Sequence, residues 1–171
     1  MLLLLLRHGA DDRWSGEDPP LTAFGAEQVR GTAAVLAGLC PDGIEEVWIS
    51  PARRARETAA VVRETLLTGW ERVDDGLAPG AGTQRHLEII AAARRNGLQS
   101  LLIVGHNPDL GAAALRCLGE CDGLERGLLA HAECVHLRLG EDEADEAPAM
   151  MVVNGASVRT VDLTPHAVPS N

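Results

Sequence analysis

Residues 1–9 read Met1-Leu2-Leu3-Leu4-Leu5-Leu6-Arg7-His8-Gly9, five consecutive leucines that end abruptly in Arg-His-Gly. A short apolar run with no polar alternation, closed by a turn residue, reads as a strand buried on both faces, as in a parallel sheet covered by helices. Open α/β sheets put their chemistry at the carboxyl ends of such strands. His8 stands at one of these ends, where by itself it fits a core histidine, a metal ligand or a nucleophile.

Outward from that strand, the chain alternates helix and strand signals. Thr22 caps a helix over residues 22–38, with Val29, Ala33 and Leu36 at helical spacing, and Cys40-Pro41-Asp42-Gly43 closes it. Residues 45–49 form a short strand. Ser50-Pro51 then follows as a cap residue with proline in the first helical position, opening a helix whose apolar face is Ala52, Ala55, Ala59, Val62 and Leu66. Residues 70–73 read as a strand, and the glycines and prolines of 74–82 exclude regular structure there. A third helix spans 83–95 and stops at Asn96-Gly97. Residues 101–104 are a second buried strand, ending in Gly105-His106-Asn107-Pro108, where Asn107 caps and Pro108 starts a helix to 118. Strands over 134–139, 150–153 and 157–163 follow. This order predicts a three-layer α/β/α sandwich with a mostly parallel central sheet, right-handed crossovers and the last strands antiparallel at an edge. One domain over 1–164 and a tail at 165–171 are expected.

Composition bounds the function. A chain of 171 residues, 46% hydrophobic, suits one compact domain, and with only 2% aromatic residues its core is built from Leu, Val, Ile and Ala. The net charge of −10 opposes general nucleic-acid or acidic-membrane binding, both of which need a cationic footprint. Part of that charge is the acidic cluster at 141–146, which reads as a solvated hairpin loop and lacks the alternation and central glycine of an EF-hand. Cys40, Cys117, Cys121 and Cys134 form no CxxC pair and are expected as reduced thiols. The leucine run is too short for a signal-peptide core and no stretch reaches membrane-spanning length, so a cytoplasmic protein is expected.

Three strand-to-helix junctions carry unusual residues: Arg7-His8-Gly9, Ser50-Pro51-Ala52-Arg53-Arg54 and Gly105-His106-Asn107-Pro108. In a parallel sheet these ends share one edge, so two histidines and two arginines converge on a single crevice. Two helices beginning there add free N–H groups and positive dipole ends. With the guanidinium forks of Arg7 and Arg54, this setting predicts a phosphoryl ligand. An imidazole that holds one proton against a carbonyl aims its other, bare nitrogen as a nucleophile, and His8 is so placed. In-line attack would transfer the phosphoryl group to His8, with water removing it later. The arginines neutralise the charge, so neither metal nor cofactor is expected.

In this order and spacing the residues resemble the histidine phosphatase superfamily, which includes phosphoglycerate mutases and acid phosphatases. The elements are Arg-His-Gly at 7–9, Leu-Thr-Ala-Phe-Gly-Ala-Glu-Gln at 21–28, Ser-Pro-x-x-Arg-Ala at 50–55 with Thr58, and Gly-His-Asn-Pro at 105–108. The resemblance implies a phosphoglycerate mutase-like fold and a phosphohistidine intermediate on His8. Arg7, Arg54 and His106 would then form the phosphate pocket, with Gly9 and Asn107 beside them. Arg54 is chosen over Arg53 and Arg56 because the family's arginine directly precedes an alanine, here Ala55. Arg13, in the loop after the signature, would line the entrance. Among the remaining histidines, His86, His131, His136 and His166 read as structural or surface residues, His131 being the one whose strand could bring it toward the pocket.

The short chain most resembles the small SixA-like phosphohistidine phosphatases, which lack a large lid insertion. Mutases and many phosphatases of the family place a glutamate in the middle loop as the acid for the leaving group, and the equivalent position here is Gly76. Asp74 or Asp75 is left as the substitute. Because a protonated imidazole leaves readily, the missing glutamate favours a P–N substrate, or an easily lost phosphate, over a sugar phosphate: a phosphorylated protein, as phosphohistidine, is expected first and a small phosphorylated metabolite second, ahead of a mutase-like phosphotransferase or a non-catalytic phosphate-binding module. The sequence carries no reading of the oligomeric state.

Overall fold

The computed structural model describes residues 1–118, 129–140, 150–155 and 157–161. The acidic cluster at 141–146, Cys121, His166, the end of the strand expected over 157–163 and the tail from 165 lie outside the described residues. Among the described residues, seven strands and four α-helices follow in the order β1 (Leu2–Arg7), α1 (Ala23–Leu39), β2 (Ile44–Ile49), α2 (Arg53–Val62), β3 (Thr68–Val73), α3 (Gln84–Arg95), β4 (Ser100–Gly105), α4 (Asp109–Leu118), β5 (Cys134–Arg138), β6 (Met150–Asn154) and β7 (Ser157–Val161). They form one sheet in the order β3-β2-β4-β1-β5-β6-β7. The first four strands of that order are parallel, and β5, β6 and β7 pair antiparallel, as the sequence predicts.

β1 lies between β4 and β5, which accounts for its unbroken leucines. Leu4 and Leu6 pack with Val29, Ala33 and Leu36 of α1 and Ala55 and Ala59 of α2. Leu3 and Leu5 point the other way, against Ile89 and Ile90 of α3 and Leu110 and Ala113 of α4. All four leucines are fully buried, each contributing about 2 kcal/mol of transfer free energy, so the strand that carries His8 is anchored from both faces. The result is an α/β/α sandwich with α1 and α2 on one face and α3 and α4 on the other.

The register aligns the functional ends. Arg7 pairs with Gly105 and Ile49 with Val104. The His8 N–H then donates to the Gly105 carbonyl (3.2 Å), and the Ser50 N–H to that of Val104 (3.0 Å). Because β5 is antiparallel to β1, its beginning meets the end of β1: Arg7 N–H donates to Glu133 O (3.0 Å) and Ala132 N–H to His8 O (3.1 Å). Residues 129–133 therefore join the same edge.

Three local expectations are corrected. α2 starts at Arg53 with Ala52 at its cap position; Ser50 Oγ accepts the Ala52 N–H (3.3 Å) and lies 2.7 Å from His106 Nε2, while the Asp18 carboxylate accepts the Arg53 N–H (2.8 Å). The loop at 74–82 holds one regular turn, a 3₁₀ helix at Asp75–Leu77, because the Asp74 carboxylate accepts the Gly76 N–H (2.8 Å) and Leu77 buries its side chain. Asn107 does not turn its side chain toward α4 as a cap; its Nδ2 donates to Leu129 O (2.6 Å).

Candidate active site

The Arg-His-Gly turn is held tightly on α1 and α2. A Cβ at Gly9 would lie 2.5 Å from the Gly25 carbonyl oxygen, so only glycine permits this approach of β1 to α1. The Gly9 N–H donates to Thr58 Oγ1 (3.2 Å), and that hydroxyl donates to the Arg54 carbonyl (2.7 Å). Thr58 thus links the turn carrying His8 to the helix carrying Arg54.

His8 is buried, and its two ring nitrogens are differentiated. Nδ1 is 2.7 Å from the Gly9 carbonyl, which can only accept, so Nδ1 carries the proton. Nε2 receives the Arg54 Nε–H at 3.3 Å, and a guanidinium can only donate, so Nε2 is bare. Burial above all, then Arg54 and Arg7, pushes the His8 pKa down from 6.5 to about 4 against the opposing Gly9 hydrogen bond and Asp11. The ring is therefore neutral at pH 7. His106 lies beside it, with ring centroids 5.0 Å apart. Burial, followed by the electrostatic effects of His8, Arg54 and Arg7, lowers its pKa to about 3. Its Nδ1 is buried without a hydrogen-bond partner.

The pocket above His8 has a volume of about 350 Å³ and is lined by Arg7, Asp11, Arg13, Arg54, His131 and the loop residues Gly16, Glu17 and Pro19. Arg7 is fixed by Nη1 donating to Leu129 O (2.6 Å) and Nη2 to His131 Nε2 (3.0 Å), which leaves its buried Nε without a partner. Asp11 is the local counter-charge, 3.5 Å from Arg54 Nε and 3.9 Å from both Arg13 Nε and His131 Nε2. His8, Asp11 and His131 offer atoms within 4.8 Å of one another, a spacing that would suit a cation. Three guanidiniums around them oppose a dication and favour an anion. A larger hollow of about 860 Å³ opens near Met1, Gly43 and Ser100, at the opposite sheet edge, without a comparable convergence of histidines and arginines.

The sequence-predicted residues divide accordingly. Arg7, His8, Arg13 and Arg54 line the pocket, Gly9 supports its floor and His106 stands behind His8. Asn107 is outside the lining and braces Leu129, the carbonyl that also anchors Arg7. Asp74 and Asp75 are outside it as well. Asp74 is paired with Arg85 (2.6 Å), whose hydrogen bond holds its carboxyl below the usual carboxylate range. Glu17 carried no sequence signal, whereas Asp11, next to the signature turn, forms part of the pocket rim, Ser50 reaches His106 from the Ser-Pro motif, and His131 arrives as its late strand suggested, through the antiparallel pairing of β5 with β1.

The model of branch 1 of the histidine phosphatase superfamily matches residues 3–79, which hold the Arg-His-Gly turn, Arg54 and Thr58. The chain belongs to the histidine phosphatase superfamily. It is a phosphatase of that superfamily. Its sequence is 34% identical over 117 residues to a protein of Picosynechococcus, covering 65% of this chain and 69% of that one. Its fold superposes with a TM-score of 0.74 on the protein histidine phosphatase SixA complexed with tungstate, at 26% identity over 82% of this chain and 90% of that chain. The alpha-ribazole phosphatase from Shigella flexneri shares the fold, with a TM-score of 0.63 and 20% identity over 82% of this chain and 92% of that one. Proteins of similar fold therefore include one named a protein histidine phosphatase and one named an alpha-ribazole phosphatase. No helix among the described residues is long and apolar enough to cross a membrane.

Proposed function

We propose that the protein is a metal-independent phosphatase that carries the phosphoryl group on His8 and takes it from a phosphohistidine of a protein partner. The observation that carries the reading is the fixed tautomer of His8, with Nδ1–H on Gly9 O and a bare Nε2 beside Arg54. In this reading Nε2 attacks phosphorus in line while Arg7 Nε and the Arg54 guanidinium bind phosphoryl oxygens. Ser50, donating its hydroxyl hydrogen to His106 Nε2, leaves the orphaned Nδ1–H for a third contact. Water then displaces the phosphoryl group from His8.

The substrate class follows from the acid. A Cβ at Gly76 would lie 2.6 Å from Arg85 Cγ, so that position has no room for a glutamate unless Arg85 moves. The Arg85 ion pair keeps Asp74 ionised and unfit to donate a proton at neutral pH. A phosphorylated imidazole departs without the assistance an alkoxide needs, which favours a P–N substrate. Glu17 at the pocket wall supports a second reading, hydrolysis of a small phosphomonoester with Glu17 as acid.

Hydrolysis of a phosphohistidine protein is expected to exceed that of a panel of sugar and nucleotide phosphates, and the reverse order would select the second reading. His8→Ala is expected to abolish turnover and phosphate trapping under either reading, while a chelator leaves the wild type active. Turnover that survives in His8→Ala would remove the nucleophile assignment.

A further inference from the structure

We infer that His131 is the general base that draws the proton from the water that hydrolyses the phosphohistidine on His8. The inference rests on the His8 reading above and adds a residue to it. His131 sits at the pocket wall with its ring centroid 5.4 Å from that of His8, and its side chain is 24% exposed, so it meets both the reacting centre and bulk water. His8 and His106, by contrast, are enclosed.

Its tautomer is set by Arg7. A guanidinium donates and cannot accept, so the ring nitrogen 3.0 Å from Arg7 Nη2 is the bare one and the proton is on Nδ1. Burial foremost, then the charges of Arg7 and Arg13 opposed by Asp11, keeps the ring neutral in the resting pocket. A bound phosphoryl group competes for Arg7. When Nη2 turns to a phosphoryl oxygen, the lone pair of His131 Nε2 is released to accept a hydrogen bond from water. The phosphoryl charge then opposes the lowering and makes the ring a better base.

Water oxygen bonds to phosphorus as the P–Nε2 bond of His8 breaks, and that electron pair returns to Nε2. His8 leaves as neutral imidazole because its Nδ1–H stays on Gly9 O. The water proton passes to His131 Nε2, inorganic phosphate departs, and the imidazolium of His131 loses its proton to solvent through its exposed side. No oxidant, reductant or metal enters.

The experiment labels the enzyme with ³²P-phosphoramidate, quenches in alkali, and follows loss of label after a chase for wild type, His131→Gln, His131→Ala and His8→Asn. His131→Gln is expected to label at about the wild-type rate and lose label at least about 100-fold more slowly, the scale of one general base. Its kcat and KM should fall together as intermediate accumulates, and added imidazole should speed the loss of label in His131→Ala. Label lost at the wild-type rate in His131→Gln would overturn the inference while leaving His8 as acceptor. Slowed labelling with unslowed loss would also overturn it. Wild type that takes no label, or His8→Asn that still does, would instead overturn the His8 reading.

Discussion

The burial that keeps His8 neutral predicts that acid destabilises the protein. His8 and His106 titrate at about 4 and about 3 in the fold, against 6.5 in the unfolded chain. Between these values the unfolded chain binds protons that the folded chain does not, so stability falls as pH drops, beginning near 6.5 and continuing to the folded pKa values. At pH 5 both rings remain neutral in the fold, so their mutual repulsion does not enter. Going from pH 8 to pH 5 then costs about 2 kcal/mol for each ring, or about 4 kcal/mol for the pair. That is a large share of the roughly 5–15 kcal/mol that holds a domain together. Burial also lowers His86, His131 and His136, so their contributions have the same sign. Urea denaturation followed by far-ultraviolet circular dichroism at the two pH values measures the loss. His8→Asn removes one titrating ring and should recover about 2 kcal/mol of it. Equal losses in wild type and His8→Asn, or a wild type as stable at pH 5 as at pH 8, would refute the depressed His8 pKa and with it the account of why the ring is neutral.

Ser50→Ala removes the partner of the buried His106 Nε2 and should lower stability by about 1–3 kcal/mol, together with kcat/KM; an unchanged urea midpoint would show that the 2.7 Å contact contributes nothing. Gly9→Ala places a methyl group 2.5 Å from Gly25 O and 2.9 Å from Val29 Cγ2, and thermal melting should register a loss of about 1–3 kcal/mol, with activity reduced through the displaced turn. A variant that melts with the wild type would contradict the close approach of β1 to α1.

The architecture was legible because its signals are local. The leucines of β1 and the apolar run of β4 mark buried parallel strands, and the parallel rule then brings their ends together with that of β2. That rule places Arg7, His8, His106 and the turn after β2 at one edge; the choice of Arg54 over Arg53 and Arg56 came from the family resemblance. Ser50 illustrates a local signal shared with a tertiary one: its Oγ accepts the Ala52 N–H (3.3 Å) in the turn that enters α2, and the same hydroxyl meets His106 at 2.7 Å, which Ser-Pro alone does not reveal. Asp74 is similar, since its place in the loop made it a candidate acid until Arg85, eleven residues later, proved to be its partner. His131 was legible only as a residue near the start of a late strand; its 5.4 Å approach to the His8 ring depends on the pairing of β5 with β1, which spacing along the chain does not encode.

The placement of Asp11 explains how a chain with a net charge of −10 maintains a cationic pocket without bound phosphate. Arg7, Arg13 and Arg54 converge there, and like charges at that distance in a partly buried site raise one another's cost. The Asp11 carboxylate, 9% exposed, offsets part of that repulsion and lies 3.5 Å from Arg54 Nε. Arg7 is steadied separately, by the Leu129 carbonyl and His131. Both forks are therefore held near the pocket beforehand, although Arg7 Nη2 has to exchange His131 for a new acceptor, so part of the ordering cost is met before substrate arrives. Under the proposed function, an arriving phosphoryl group, with a greater charge than a single carboxylate, would displace Asp11 from Arg54, and after hydrolysis Asp11 would take the guanidinium back, weakening the hold on inorganic phosphate and favouring its release.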